Sequence, residues 1–483
     1  MWKPDRGSDK PLYAQIADDL ARRISSGEFP PGSRLPSERS LAELLGVNRS
    51  TVVLAFGELR AAGIVESRTG SGTRVSRGGW GAAPKQTPNW SRYAEDGGFL
   101  PNLPLMRRIR EALSRHPSLI DFASGELSAD LAPAAEIAAL LREQDDIAYL
   151  GYDNPQGHMP LREALASYLA RYRGIRTTAS SVLITSGSQQ SLFLIAQCLL
   201  APGDAVAVED PSYCRSLPMF QSAGLRVFRL PVDEHGARPD DLRALRKKHR
   251  VKMVFLNPNY QNPTGTVLAA ERRKELLETA SGLGLPIVED DPFSLTAFGE
   301  RPPEPLKAMD EDGSVLYIGS FSKIAASGLR IGWMVAPNAI VERLADARQQ
   351  MDFGLSVIPQ RIVARFLESP YFRPHLERLR TELQFKRDLL IDALRKELPD
   401  QVEFAVPRGG LHLWCRLRHA VQDGKLLDEA IRRGTVFVPG SVYGSAPGFV
   451  RFTYARPRAE DIGPGVAAFA EALRALERGP GGP

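Results

Sequence analysis

The sequence predicts two unequal folded parts: an N-terminal winged helix-turn-helix over residues 1–76 and, beyond a linker at 77–98, a large α/β part with a mainly parallel sheet over 99–483. Three observations carry that division. Between Lys10 and Ser76, short apolar-periodic segments precede two extended pieces around a glycine-rich turn. From about Leu100, continuous apolar runs alternate with longer helical patterns, which is the texture of parallel strands buried on both faces. Between the two lies RGGWGAAPKQTPNWSRYAEDGG, rich in Gly, Pro and polar residues and without an apolar period.

In the first part, Leu12, Ile16, Leu20 and Ile24 recur at i, i+4 and lay one apolar stripe on a helix that Gly27 and Pro30-Pro31-Gly32 end. Ser37 to Leu45 predicts a second helix, with Leu41, Leu44 and Leu45 inward and Gly46 beyond its end. A third starts near Asn48, a good N-cap, and carries Val52, Phe56 and Leu59 on one face until Gly63. Ile64-Val65-Glu66 and Thr73-Arg74-Val75 read as two strands around Thr69-Gly70-Ser71-Gly72. In the second part, VLITSG, AVAVEDP, VKMVFLNP, LPIVEDD and VLYIGSFSK are the strand candidates. After about Pro337 the chain turns helical, and PRGGLHLWCRL to VRFTYARP predicts a small α+β unit in a C-terminal subdomain starting near residue 340.

Composition excludes several classes. Hydrophobic residues make up 43% and charged residues 25%, as in ordinary globular proteins, so wholesale disorder and fibrous folds are out. No apolar run approaches the roughly 18 residues of a membrane span, and no apolar signal core opens the chain. The three cysteines, Cys198, Cys214 and Cys415, form no CxxC and no disulfide framework, which fits a cytoplasmic protein and buried or semi-buried thiols. The seven histidines show no ligand spacing, and no metal site is expected.

Between Arg34 and Arg77 there are seven Arg, no Lys and four acidic residues, a local charge of +3. In this fold the third helix enters the major groove with its N-terminal residues on base edges and phosphates. Arg49 can fork onto guanine, and the Ser50 and Thr51 hydroxyls can hold phosphate. Arg39 opens the second helix, near the backbone, and the small turn at Gly70 suits the minor groove. The stretch LPSERSLAELLGVNRSTV, with nearly all of residues 10–76 around it, resembles the GntR family of bacterial regulators. That resemblance implies that Arg39, Arg49, Ser50, Thr51 and Gly70 contact double-stranded DNA.

The five apolar runs of the large part end in polar groups, and ligands of open α/β sheets bind outside the carboxyl ends of strands. These residue types suit pyridoxal 5′-phosphate. A Lys at a strand end forms an imine with an aldehyde, a carboxylate pairs with a protonated pyridine nitrogen, and an aromatic ring stacks on the pyridine. Gly-Ser-Gln at a helix start, hydroxyls and an Arg hold a phosphate. The motifs GYDNPQGHMPLREAL, LITSGSQQSL, VEDPSY, NPNYQNPTG, IVEDDPF, SFSKIAASGLRIGW, PRGGLHLW and VRFTYA, in that order over roughly residues 120–475, resemble the fold-type I aminotransferases. The resemblance implies that Lys323 carries the Schiff base and that Asp290, with Asp291 beside it as the alternative, pairs with the ring nitrogen. It further implies that Asn262 donates to the ring O3′ and Tyr213 stacks. Ser188, Gln189, Ser320, Ser322 and Arg330 would hold the phosphate, Tyr152 would reach the phosphate of a neighbouring subunit, and Arg451 would bind an effector carboxylate. One departure is visible: the family usually has a Tyr two or three residues after the pyridine Asp, where this chain has Pro292 and Phe293.

A GntR-like unit linked to an aminotransferase-like unit resembles the MocR transcriptional regulators. The resemblance implies a cytoplasmic, head-to-tail homodimer with no membrane partner. Its effector is an amino acid or amine, sensed by external aldimine formation with little or no net turnover. The rival reading is a working aminotransferase with an autoregulatory DNA-binding unit.

Overall fold

The computed structural model describes residues 2–68, 72–76, 97–142, 151–300, 302–419 and 421–477. Two compact units are present, Met1–Gly98 and Phe99–Pro483.

The first unit contains helices α1 (Leu12–Ser25), α2 (Glu38–Leu45) and α3 (Arg49–Ala61) and the antiparallel pair β1 (Val65–Arg68) and β2 (Gly72–Val75). Ile16, Leu20, Ile24, Leu41, Leu45, Val52, Phe56, Leu59, Val65 and Val75 close one apolar core, as their periodicity predicts. Leu44 is a correction: it is 46% exposed, because Leu41, Ala42 and Leu45 already form the buried stripe of this two-turn helix. Ser37 caps α2 by accepting the Ser40 N–H at 3.2 Å, and Gly46 ends it in the left-handed region at φ 67°. Asn48 has N-cap backbone geometry but makes no capping hydrogen bond with its side chain. Gly70 and residues 77–96 of the expected linker lie outside the described residues.

The second unit is built on an eight-stranded sheet in the order β4-β11-β10-β9-β8-β5-β6-β7. Its strands are β4 (Val182–Thr185), β5 (Ala205–Asp210), β6 (Arg226–Asp233), β7 (Gly236–Ala237), β8 (Met253–Leu256), β9 (Ile287–Asp290), β10 (Val315–Ser320) and β11 (Gly332–Val335). The pairs β10–β9, β9–β8, β8–β5 and β5–β6 are parallel, while β11 runs against both β4 and β10. Every residue of β4, β8, β9, β10 and β11 is buried, so both sheet faces are covered. The five predicted strands β4, β5, β8, β9 and β10 all end on one edge. Helices α4 (Pro104–Arg115) and α5 (Ser188–Cys198) and the long α6 (Phe372–Glu397) pack in this unit. Near the C-terminus, β12 (Val402–Phe404), β13 (His412–Leu417), β16 (Phe449–Thr453) and β15 (Val438–Pro439) form an antiparallel sheet, the predicted small α+β unit. The remaining strands, β3 (Ile120–Asp121) and β14 (Thr435–Val436), pair in parallel. No helix among the described residues is long and apolar enough to cross a membrane.

Candidate cofactor site and DNA-binding surface

Two adjoining cavities of about 310 and 400 Å³ open at the carboxyl edge of the sheet, and Ser124, Gly125, Ser188, Tyr213 and Lys323 line both. The smaller also holds Asn262, Asp290, Phe293, His412 and Arg451, and the larger holds Gln189, Ser320, Ser322 and Arg330. Ten of the eleven residues expected around a cofactor and effector therefore line these two adjoining cavities.

The larger cavity has groups that can hold a phosphate. Ser188 and Gln189 open α5, whose free N–H groups favour an anion. Gly187 precedes them at φ 83°, a conformation that glycine adopts without strain. Gly332 on β11 lets the backbones meet: a Cβ there would lie 2.7 Å from Gly187 Cα and 2.9 Å from Ser188 N. Ser320 ends β10 and accepts the Ser322 N–H at 3.2 Å, so both hydroxyls stay beside the strand end. Arg330 is held over this loop by donating to the Ser186 carbonyl at 2.7 Å.

The smaller cavity holds the groups suited to imine chemistry. Lys323 follows β10, and its ammonium donates to the Gly125 carbonyl. Burial, and then the nearby Arg451 charge, lower its pKa to about 8, which favours the neutral amine that attacks an aldehyde. Asp290 ends β9, and its Oδ1 is buried without a hydrogen-bond partner. Burial, reinforced by Asp291, raises the Asp290 pKa to about 7. A buried, unpaired carboxylate facing a cavity fits a ligand that brings its own cationic N–H donor, as a pyridinium nitrogen does. Asp291 is engaged elsewhere. It receives Arg173 Nη2 at 2.7 Å, Tyr317 Oη at 3.0 Å and the Ser294 hydroxyl, and those partners hold its pKa down despite burial.

Asn262 is positioned from both sides: its N–H donates to Asn257 Oδ1 at 2.8 Å, and its carbonyl accepts the Tyr213 N–H at 2.8 Å. Asn257 in turn donates to the Asp290 carbonyl at 2.7 Å, which ties the ends of β8 and β9 together. Arg451 on β16 is buried; it donates to Asn262 Oδ1 at 3.2 Å and to the Ala123 carbonyl, and sits 5.2 Å from the Tyr443 ring centre. Its Nε has no partner, leaving the guanidinium with a free donor. Tyr152 is not part of this space. It is exposed, its ring lies 5.5 Å from that of Phe353 at a tilt of 35°, and it lines a separate hollow.

Pro292 and Phe293 line the cavity, so the departure from the family falls at the site itself. His412 does too, although histidine spacing pointed to no metal role for it; the sequence signal was its place within PRGGLHLW.

On the first unit, Arg49 and Ser50 are exposed and Thr51 half-buried at the start of α3. Arg49 pairs with Glu38 at 3.1 Å and Arg39 with Glu43 at 3.2 Å, both on the solvent side, where a phosphate can compete for the arginines.

Residues 117–469 match the aminotransferase class I and II model, and residues 12–75 match that of the bacterial regulatory proteins of the gntR family. The chain is 37% identical to the uncharacterized HTH-type transcriptional regulator YdfD of Bacillus subtilis, over 94% of this chain and 95% of that protein. It is 36% identical to YisV of the same organism, over 99% of each. The crystal structure of Pyrococcus horikoshii kynurenine aminotransferase with PMP is similar with a TM-score of 0.74 at 30% identity, covering 80% of this chain and 98% of that one. With a gntR-family domain ahead of a class I and II aminotransferase domain whose members bind pyridoxal phosphate, and regulators of the same plan along its whole length, the chain belongs to the MocR-type transcriptional regulators.

Proposed function

We propose that this regulator reads an amino acid or amine at a pyridoxal-phosphate site and changes its hold on an operator in response. The observation that carries the reading is the unpaired Asp290 carboxylate in one cavity with Lys323 and Arg451. The bound cofactor supplies an aldehyde carbon at which amines exchange. Lys323 is its covalent anchor, Asp290 holds the proton on the pyridine nitrogen, Asn262 donates to the phenolic oxygen, and Tyr213 stacks on the ring. Ser188, Gln189, Ser320, Ser322 and Arg330 hold the phosphate. Arg451 gives up its internal acceptors to take the effector carboxylate, since charge-assisted bidentate pairs are the strong kind. Tyr152 serves the phosphate of a second subunit in a homodimer, which agrees with its exposure away from its own cavity. Arg39, Arg49, Ser50 and Thr51 meet operator DNA, with Gly70 at the wing. Residues 1–76 and 99–483 act as separate units joined by the tether 77–98.

Borohydride should fix the cofactor to the peptide containing Lys323, and a panel of L-amino acids should alter operator affinity in the parent. Lys323→Ala should remove that response while leaving operator binding intact. An unchanged response in that variant would discard the reading, and sustained keto-acid formation with 2-oxoglutarate would make the chain a working aminotransferase.

A further inference from the structure

His412 is a buried polar side chain that the proposed function leaves without work. It opens β13 opposite Thr453 of β16, so Arg451 is its diagonal neighbour on the same sheet face. Its ring stands edge-to-face against Phe293, with centroids 5.6 Å apart and planes at 85°. A Cβ added at Gly125 would lie 3.2 Å from His412 Cε1 and 3.5 Å from Nε2, so the imidazole edge is turned toward the residue whose carbonyl takes Lys323. His412 is 3% exposed, lines the cavity, and leaves Nδ1 buried without a hydrogen-bond partner. Such a nitrogen costs free energy while it stays unpaired, and the ring it belongs to borders the space a ligand would fill. Burial, then the Arg451 and Lys323 charges, hold the ring neutral, so one nitrogen carries a proton it can donate without adding charge.

Resting on the cofactor reading above, we propose that His412 donates a hydrogen bond to the phenolic oxygen of bound pyridoxal phosphate. It takes the part that a tyrosine hydroxyl plays in the aminotransferases this chain resembles, at the wall where Phe293 has no hydroxyl. Asn262 is then not the sole donor to that oxygen. The residues explain why the exchange works spatially: Phe293 and His412 are both buried, in contact, and on the same cavity. The other ionisable groups lining this cavity are Lys323, Asp290, Arg451, Arg110, Tyr213 and Tyr443.

A donor to the phenolic oxygen spreads its negative charge and weakens its grip on the proton of the neighbouring Lys323 nitrogen. Removing the donor therefore raises the pH at which the yellow band of the bound cofactor gives way. In visible titrations of the loaded full-length protein, His412→Phe should raise that midpoint by about one pH unit. Adding Phe293→Tyr to the same chain should bring it back, and His412→Gln, which retains an N–H, should stay near the parent. His412→Met serves as the apolar replacement if phenylalanine is not tolerated. A midpoint unmoved in both apolar variants overturns the proposal, as does unmoved titration accompanied by weaker amino-acid binding, which would make His412 an effector contact. A parent protein that takes up no cofactor at Lys323 would instead defeat the underlying reading of the site.

Discussion

Asp290 and Asp291 are adjacent carboxylates with opposite environments, and their substitution should separate binding from stability. Asp291 is the counter-charge of Arg173, with side chains 0% and 7% exposed. Asp291→Asn should destabilise the protein by about 3–5 kcal/mol in denaturant unfolding, because Arg173 is left buried and uncompensated. Asp290→Asn should instead lower cofactor affinity at least tenfold, about 1.4 kcal/mol, in equilibrium dialysis. In protein stripped of cofactor its stability effect has the opposite sign. The folded pKa of Asp290 is raised to about 7 from 3.8, so the native state binds the proton more tightly than the unfolded state does. Stability contributed by that group is present at low pH and is lost as pH rises from about 4 through 7. Asp290→Asn should therefore raise the melting temperature of the stripped protein more at pH 8 than at pH 5. Arg451→Ala should weaken binding of carboxylate effectors by tenfold or more, read by spectral titration, while cofactor loading changes little.

At the scale of elements, the cofactor site depends on backbone approach as much as on side chains. The β11 strand crosses the start of α5 so closely that only glycine fits at 332. Gly332→Ala must push Gly187 and Ser188 aside, and the N–H groups at the start of α5 move with them. Cofactor release should quicken by an order of magnitude or more on dilution, with the sheet otherwise intact. The short α2 and the start of α3 show the other kind of element: they bury Leu41, Leu45 and Val52 in the core of the first unit while Arg39 and Arg49 sit outside it in surface ion pairs. Those pairs are worth little in water, so breaking them for the DNA contacts proposed above would cost Arg39 and Arg49 little.

Over the whole molecule, DNA binding and ligand binding reside in chemically distinct units. Operator affinity should fall steeply with salt because phosphate contacts release counterions. Arg49→Ala should cost about 1–3 kcal/mol on the operator in gel-shift titration if Arg49 reads a base, with less loss on random DNA. Equal loss on both would make it a phosphate contact. The pyridoxal spectrum should be unaffected, since residues 12–75 and 117–469 match separate families.

Sequence by itself determined the order of the two parts and the strand positions, and it named ten residues that the fold gathers around two adjoining cavities. Apolar periodicity and glycine placement are local signals, and motifs such as SFSK and IVEDD sit where parallel strands end. Tertiary structure alone decided what depends on which groups meet across the fold. Leu44 follows the apolar pattern of α2 yet faces outward, because a two-turn helix offers the core one narrow stripe. Asp290 and Asp291 are equivalent in sequence until Arg173 and Tyr317, 118 and 26 residues from Asp291, engage it and leave Asp290 for the cavity. His412 sits in the motif PRGGLHLW, but nothing in that motif says what its ring meets. Its value lies in a ring with a buried unpaired nitrogen that meets Phe293, and that pairing between residues 119 positions apart follows from the bridge between the segment after β9 and the loop before β13, where Ala297 pairs with Gly409 and the Phe298 N–H donates to the Arg408 carbonyl.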